Sequence, residues 1–591
     1  MELRWTRPRL IRGGLVFDGL GGEGVRKDVW LEDGKVGELL EPGAPVPSTA
    51  RPDEIEEIDA TGAWVMPGFV DLHTHYDAEV EILPGLEESV RHGVTTIVMG
   101  SCGLSMAAGE PEDMADMFCR VEGIPRATVL PLLQEIATWD GPAEYFEHLD
   151  SLPLGPNVAA LLGHSTIRAE AMGLERACKA GEQPTEAELQ KMESRLAEAL
   201  DAGYLGLSIN TLPWDKMDGD RVRSQPTPSV FANWSEYRRL AKPLRRRGRI
   251  FQGVPDVSRK VNAIWFFLAT AGWARRPLRT MLITLLDAKA ARGSFRVIGT
   301  AARLTNSVLR GDIRFQSLPN TFDLWVDGME VPVLEEIGAG TEALHIEDRE
   351  ERARLLRDPD FRRRFRKQWA SKWLGRAYHR DLDEAKIVGC PDAALVGRSF
   401  ADVARERGGD SVDTFLDLLA EYGDDLRWYT VVGNDRERWL QWIVKHPSVL
   451  IGFSDAGAHL RNMAYYNYPL RLLKLVRDAE GRGEAFMSTG EAVRRLTSEI
   501  ADWLGLDTGR LEPGARADLV IVDPAGLDES VEDLHEAPLE GFADLRRLVR
   551  RNDAAVRQVV IGGEPVYGEG RFVEGFGKAR SYGEVLRVGD R

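Results

Sequence analysis

Strand-like and helix-like runs alternate through the middle of the 591-residue chain, while both ends are rich in short strands joined by turns. The pattern predicts an α/β protein: a (β/α)8 (TIM) barrel with a small β-sandwich domain formed from both chain ends. The length agrees, because a chain of this size exceeds one compact domain and accommodates a large domain with an accessory one.

At the N-terminal end, 10–17 reads as a strand with a glycine break, and 28–31 and 35–39 flank Asp33-Gly34, a strong hairpin signal. Residues 42–49 form a loop. At the C-terminal end, 517–523 is a strand between Pro513-Gly514 and Pro524, and 559–567 reads as a hairpin around Gly562-Gly563. Neither end carries a full core, so the two are expected to complete one sandwich, residues 1–64 with 501–591. In the barrel between them, Thr185 and Glu188 make a capping box, Leu189, Met192, Leu196 and Leu200 recur at helical spacing, and Gly203 ends the helix. Barrel strands are expected to centre on 65–75, 95–103, 158–168, 205–210, 249–256, 280–287, 428–434 and 449–459, with a helical insertion at about 300–420 that roofs the active site.

Charge narrows the partners. The formal net charge of −18 argues against nucleic acid or an anionic membrane as the main partner, since both need concentrated Lys and Arg, and favours a small-molecule substrate. One basic run, 362–367, is expected on the solvated face of a helix with i,i+4 ion pairs. The four cysteines, Cys102, Cys119, Cys178 and Cys390, form no CxxC pair and suggest a reducing compartment. The start of the chain lacks the apolar stretch of a signal peptide, and the longest apolar run, 263–273, is about half a membrane span. A cytoplasmic location follows as an expectation, and a homo-oligomer is compatible with it.

The strongest local signal is Pro67-Gly68-Phe69-Val70-Asp71-Leu72-His73-Thr74-His75. Residues i and i+2 of a strand share a face, so His73 and His75 project together from the C-terminal end of an apolar run, where a barrel carries its active site. Two neutral imidazoles suit a borderline metal such as Zn2+. The second signal, Ile451-Gly452-Phe453-Ser454-Asp455-Ala456-Gly457-Ala458-His459, also ends a strand; Asp455 there could ligate the metal and exchange protons with water.

Together these motifs resemble the amidohydrolase superfamily, in which HxH ends the first barrel strand and an Asp ends the eighth. Within it the likeness is greatest to the N-acyl-D-amino-acid deacylases (D-aminoacylases), carried further by Gly93-Val94-Thr95-Thr96 leading to Ser101-Cys102-Gly103, by Gly163-His164-Ser165-Thr166-Ile167-Arg168 and by Gly203-Tyr204-Leu205-Gly206-Leu207-Ser208. The resemblance implies that Cys102 is a thiolate metal ligand beside His73, His75 and Asp455; His164, at the end of the third strand, could polarise the substrate carbonyl or bind its carboxylate. The resemblance implies an N-acyl-D-amino acid as substrate; Arg168, Arg303 or Lys289 could meet its carboxylate, and His459, beside the expected metal pocket, could contact metal ligands or substrate.

One departure stands out. These deacylases carry metal-binding histidines at the ends of the fifth and sixth strands, whereas this chain has Phe251-Gln252-Gly253-Val254-Pro255-Asp256 and Leu282-Ile283-Thr284-Leu285-Leu286-Asp287 there, and no histidine between His164 and His345. One well-formed site is therefore expected, and a second is incomplete unless Gln252, Asp256 or Asp287 substitutes. His345 reaches the site only if the insertion folds over it; His92, His148, His379, His446 and His535 lie apart. The expected activity is hydrolysis of a C–N amide bond by metal-activated water with Asp455 as proton shuttle. The alternatives are a cyclic-amide hydrolase and a metal-dependent lyase or isomerase.

Overall fold

A computed structural model of the chain describes residues 7–47, 51–256, 260–273, 275–371, 376–542 and 545–589; the first six residues and the end of the 42–49 loop lie outside them. The two chain ends meet in a pair of sheets. One is ordered Lys35–Leu40, Asp28–Glu32, Arg9–Arg12, Glu56–Asp59. The other runs Arg571–Phe572, Glu564–Gly568, Val556–Ile561, Leu519–Val522, Trp64–Pro67, Leu15–Val16, Val25–Arg26. Trp64–Pro67 lies antiparallel to Leu519–Val522, with Val65 opposite Ile521, so the N-terminal and C-terminal segments are hydrogen-bonded into one sheet. Ile11, Val29, Leu31, Val65, Leu519 and Val560 pack between the layers.

The run 10–17 is not one strand. Gly13 at φ 75° turns the chain, and the segments on either side enter different sheets. The Asp33-Gly34 turn is as its sequence requires, with φ of 52° and 74° at consecutive residues.

Between the ends, Phe69–Asp71 with His73–Thr74, Val94–Met99, Asn157–Ala160 with Leu162–Gly163, Gly206–Asn210, Ile250–Val254, Arg279–Leu282, Asp312–Ser317 and Val449–Ile451 with Phe453–Ala456 form the barrel strands in order. Every neighbouring pair is parallel, including the last with the first. The helix between the third and fourth strands spans Glu186–Ala202, with both halves of the Thr185–Glu188 capping box formed and Gly203 left-handed at its end.

The seventh strand differs from expectation. It is Asp312–Ser317, paired with Arg279–Leu282 and Val449–Ile451. The expected 428–434 strand, Arg427–Gly433, is instead the centre of a separate antiparallel sheet, between Phe322–Asp327 and Lys386–Gly389. The insertion therefore begins later than 300 and is not purely helical: Ser294–Val308 is the helix that leads into the seventh strand. The inserted segment has its own core of Leu324, Phe361, Phe365, Trp369, Phe415 and Trp428. Its helix Pro359–Ala370 buries Phe361, Phe365 and Trp369 and turns the basic run outward. Arg362, Arg364 and Arg366 pair with Asp417, Glu342 and Asp413 on other elements, rather than with i,i+4 neighbours.

The N-terminal end of the barrel is closed by residues that follow it in sequence. Ile500, Trp503 and Leu504 of the helix Ser498–Leu504, with Val588, pack on Val70, Val98, Leu205, Ile250 and Leu450. Leu504 is fully buried, so Leu504→Ala should leave a cavity costing about 2–5 kcal/mol. The exposed Leu20→Ala should cost less than about 0.5 kcal/mol. Chemical denaturation compares the two; equal midpoints would show that the plug carries no stability.

Candidate metal centre and cavity

The first and eighth strands meet through backbone hydrogen bonds: Leu72 N–H donates to Gly452 O (2.8 Å) and His75 N–H to Ala456 O (2.7 Å). This seam brings His73 and His75 against Asp455. The Nε2 atoms of the two histidines lie 3.5 and 3.6 Å from Asp455 Oδ1. Gly457 adjoins the seam at φ 90°, where a Cβ would stand 2.2 Å from the His75 carbonyl oxygen; only glycine lets the two chains pass.

Cys102 joins them from the turn after the second strand, its Sγ 3.5 Å from His73 Nε2. His73, His75 and Cys102 each offer a ligand atom within 4.8 Å of the others. Three side chains around this point hang on left-handed backbone, Cys102 at φ 54°, Asp455 at 57° and His459 at 48°. Such conformations cost non-glycine residues energy and gather where a side chain must be aimed.

The electrostatics suit a cation. Burial drives the His73 imidazole down to about 3 and that of His75 well below its ordinary value, so both are neutral, the form that ligates a metal. Burial, with the charge of Asp215, raises the Asp455 carboxyl to about 7; burial together with Asp215 and Asp455 also raises the Cys102 thiol. A positive ion between these groups reverses both effects by favouring carboxylate and thiolate. The donor set of two imidazole nitrogens, a carboxylate and a thiol fits a borderline divalent metal.

His73 is oriented from behind. Its Nδ1–H donates to Gln316 Oε1 of the seventh strand at 2.7 Å, leaving the Nε2 lone pair toward Asp455 and Cys102. Gln252 of the fifth strand comes within 3.5 Å of the same Nδ1. Gln252 thus stands beside a ligand without completing a second site, and the sixth strand sets the buried, apolar Met281 opposite it. Asp287 does not substitute either: its carboxylate pairs with Arg436 at 2.7 Å and Arg292 at 3.1 Å. Gln316 was not expected from sequence, because its strand was not recognised; the short alternation Ile313-Arg314-Phe315-Gln316 was the available signal.

A cavity of about 440 Å³ reaches toward this centre through Asp215 and His459, whose charges act on Asp455 and His75, and is lined also by Lys216 and Arg461 and by Glu330, Glu335 and Leu344 of the insertion. Residues of the insertion thus form one side of the cavity. Burial and the nearby Arg120 and Lys216 charges lower His345, beside Leu344, to about 4. Arg120 pairs with Glu335 (2.5 Å), whereas Lys216 makes no ion pair among the described residues.

Several expected contacts are committed elsewhere. His164 is fully buried, with Nδ1 3.1 Å from Ser229 Oγ and Nε2 3.0 Å from Glu236 Oε1. Arg168, equally buried, pairs with the other oxygen of Glu236. Neither is among the residues that line the cavity. Lys289 pairs with Glu384 and lies 3.7 Å from Asp435, and Arg303 sits exposed on an outer helix. Of the expected substrate contacts, His459 alone lines the cavity.

The sequence matches the amidohydrolase family over residues 56–225 and 360–567. An uncharacterized protein of Mycobacterium tuberculosis is 48% identical over 603 residues, covering 100% of this chain and 97% of that one. An N-acyl-D-glutamate deacylase of Alcaligenes xylosoxydans xylosoxydans is 36% identical over 199 residues, 34% of this chain and 36% of its own. In fold, the chain resembles the crystal structure of N-acyl-D-glutamate deacylase from Bordetella bronchiseptica, complexed with zinc and a phosphonate inhibitor. The TM-score is 0.62 at 22% identity, over 98% of this chain and 99% of that one. It resembles a D-aminoacylase crystal structure similarly, with a TM-score of 0.61 at 21% identity over the same shares. A (β/α)8 barrel whose first strand ends in His73 and His75, and whose eighth delivers Asp455 to them, thus belongs to a chain that is a member of the amidohydrolase family.

Proposed function

We propose that the protein is a metal-dependent hydrolase that cleaves the amide C–N bond of a small N-acylated amino acid, with N-acyl-D-amino acids as the first class to try. The approach of His73, His75 and Asp455 to one point, with Cys102 beside them, carries this reading. The partial likeness to N-acyl-D-glutamate deacylase supports the substrate class. His73, His75 and Asp455, with Cys102 beside them, would hold a divalent ion such as Zn2+, which would supply Lewis acidity for amide hydrolysis.

The chain's own groups do the rest. Gln316 fixes the His73 tautomer so that its Nε2 stays a lone-pair donor. The Asp455 carboxylate, beside both imidazoles, accepts a proton from the attacking water and returns it to the leaving nitrogen, a role worth about two to four powers of ten. The cavity receives the substrate body, with Lys216 as the cation for a carboxylate and the insertion excluding water on one side of it.

Metal-loaded protein given N-acyl-D-amino acids should release free amine, and Asp455→Asn should lower kcat by roughly 10³-fold while metal content is retained. Amine release at the wild-type rate from Asp455→Asn would remove the proton-transfer role, and no release from any N-acylated amino acid would remove the substrate class.

The buried His164–Glu236–Arg168 cluster is assigned a structural role. His164→Asn should leave kcat within about three-fold while lowering the unfolding midpoint, since it breaks a buried, hydrogen-bonded pair. A loss of kcat by powers of ten with an unchanged midpoint would return His164 to the reacting centre.

A further inference from the structure

The segment 238–314 holds 18 lysines and arginines against 3 aspartates, in a chain whose net charge is −18. It builds outer helices Trp234–Arg247, Lys260–Thr270 and Ser294–Val308 of the barrel. Eight of the 14 large apolar side chains exposed among the described residues lie on the last two of these helices and the turn after the first of them. Ile264, Trp265 and Leu268 face solvent from one helix, Trp273 (76% exposed) follows it, and Val297 (73% exposed), Leu304 and Val308 face solvent from the other.

The ends of these helices are tied to one another, and the first of them to the helix before it. Gly272 N–H donates to Leu309 O at 3.0 Å, tying together the ends of the two apolar helices. Trp265 stacks on Trp234 with ring centroids 5.9 Å apart, and the Arg238 guanidinium lies 5.8 Å from the Trp265 ring centroid. Arg245 donates to the Arg276 carbonyl, and Arg276 to that of Arg246, so the basic ends of neighbouring segments are held together.

The rim is basic and uncompensated. Arg238, Lys242, Arg246, Arg275, Arg303 and Arg310 are exposed and make no ion pair among the described residues. Apolar patches of this kind mark interaction sites. A second copy meeting through the same face would set this basic rim against itself, because a two-fold contact is isologous. A negatively charged surface that accepts tryptophan and aliphatic groups just beneath its charges satisfies both features at once.

We propose that the outer face formed by helices Lys260–Thr270 and Ser294–Val308 docks on an anionic phospholipid bilayer, with Trp265, Trp273, Leu304 and Val308 entering the interface and the arginines contacting phosphate headgroups. No helix of the described residues is long and apolar enough to cross a membrane, so the contact is peripheral. The connections from these helices to the next strands run at the N-terminal end of the barrel, so docking leaves the cavity at the opposite end open to solvent.

Sedimentation of the full chain with phosphatidylcholine vesicles, with and without phosphatidylglycerol, tests the assignment. The wild-type protein should pellet only with the anionic vesicles and be released by high salt. Arg246→Glu combined with Arg275→Glu and Arg303→Glu should weaken retention by ~100-fold or more. Trp273→Ser with Leu304→Ser should weaken it by ~10-fold at unchanged salt dependence. Wild-type protein left in the supernatant with anionic vesicles would overturn the proposal. So would a concentration-dependent dimer that the Trp273→Ser, Leu304→Ser variant dissolves, since the face would then belong to a second copy.

Discussion

Backbone pairing of the first and eighth strands, Leu72 to Gly452 and His75 to Ala456 among its hydrogen bonds, closes the barrel, and the candidate centre depends on it. The ligands come from opposite ends of the barrel's sequence and become neighbours only when the eighth strand pairs with the first. The hydrogen-bond register decides which side chain of the eighth strand reaches the histidines, because a slip of one residue would turn a different set inward. Gly457 permits this register, and Asp455 in left-handed backbone supplies the final aim. Strain of about 1–3 kcal/mol for each such residue is tolerable because the surrounding strands are fully buried and paired.

The same packing explains the chemistry available. Burial of the centre among the barrel strands makes each charge expensive, and this keeps both imidazoles neutral and Asp455 reluctant to ionise without a cation. The back of His73 faces the amides of Gln252 and Gln316, groups that orient a ring without bringing charge. The fifth strand sets an amide beside His73 and the sixth a methionine opposite that amide, and the described residues group around one metal position only.

Much of this was legible in the sequence, and the failures have physical causes. The His73/His75 pair and Asp455 could be read because strand periodicity and position in the barrel constrain them locally. The Glu186–Ala202 helix was legible to the residue because its cap chemistry is local. The seventh strand was misplaced because Arg427–Gly433, rich in aromatic and β-branched residues, has every local property of a barrel strand and pairs in another sheet. Asp312–Ser317, with a polar residue at alternate positions, looks weaker. His164 and Arg168 invited a catalytic reading because their shared partner, Glu236, lies far along the chain. The basic face on the barrel's flank was hidden in a chain-wide net charge of the opposite sign.

The most direct test of the account is to locate a bound ion by anomalous diffraction from zinc-loaded crystals. The account predicts a peak about 2.0–2.2 Å from Nε2 of His73, Nε2 of His75 and a carboxylate oxygen of Asp455. A peak bound by other residues, or ordered zinc that leaves any of these three out of its coordination shell, would contradict it.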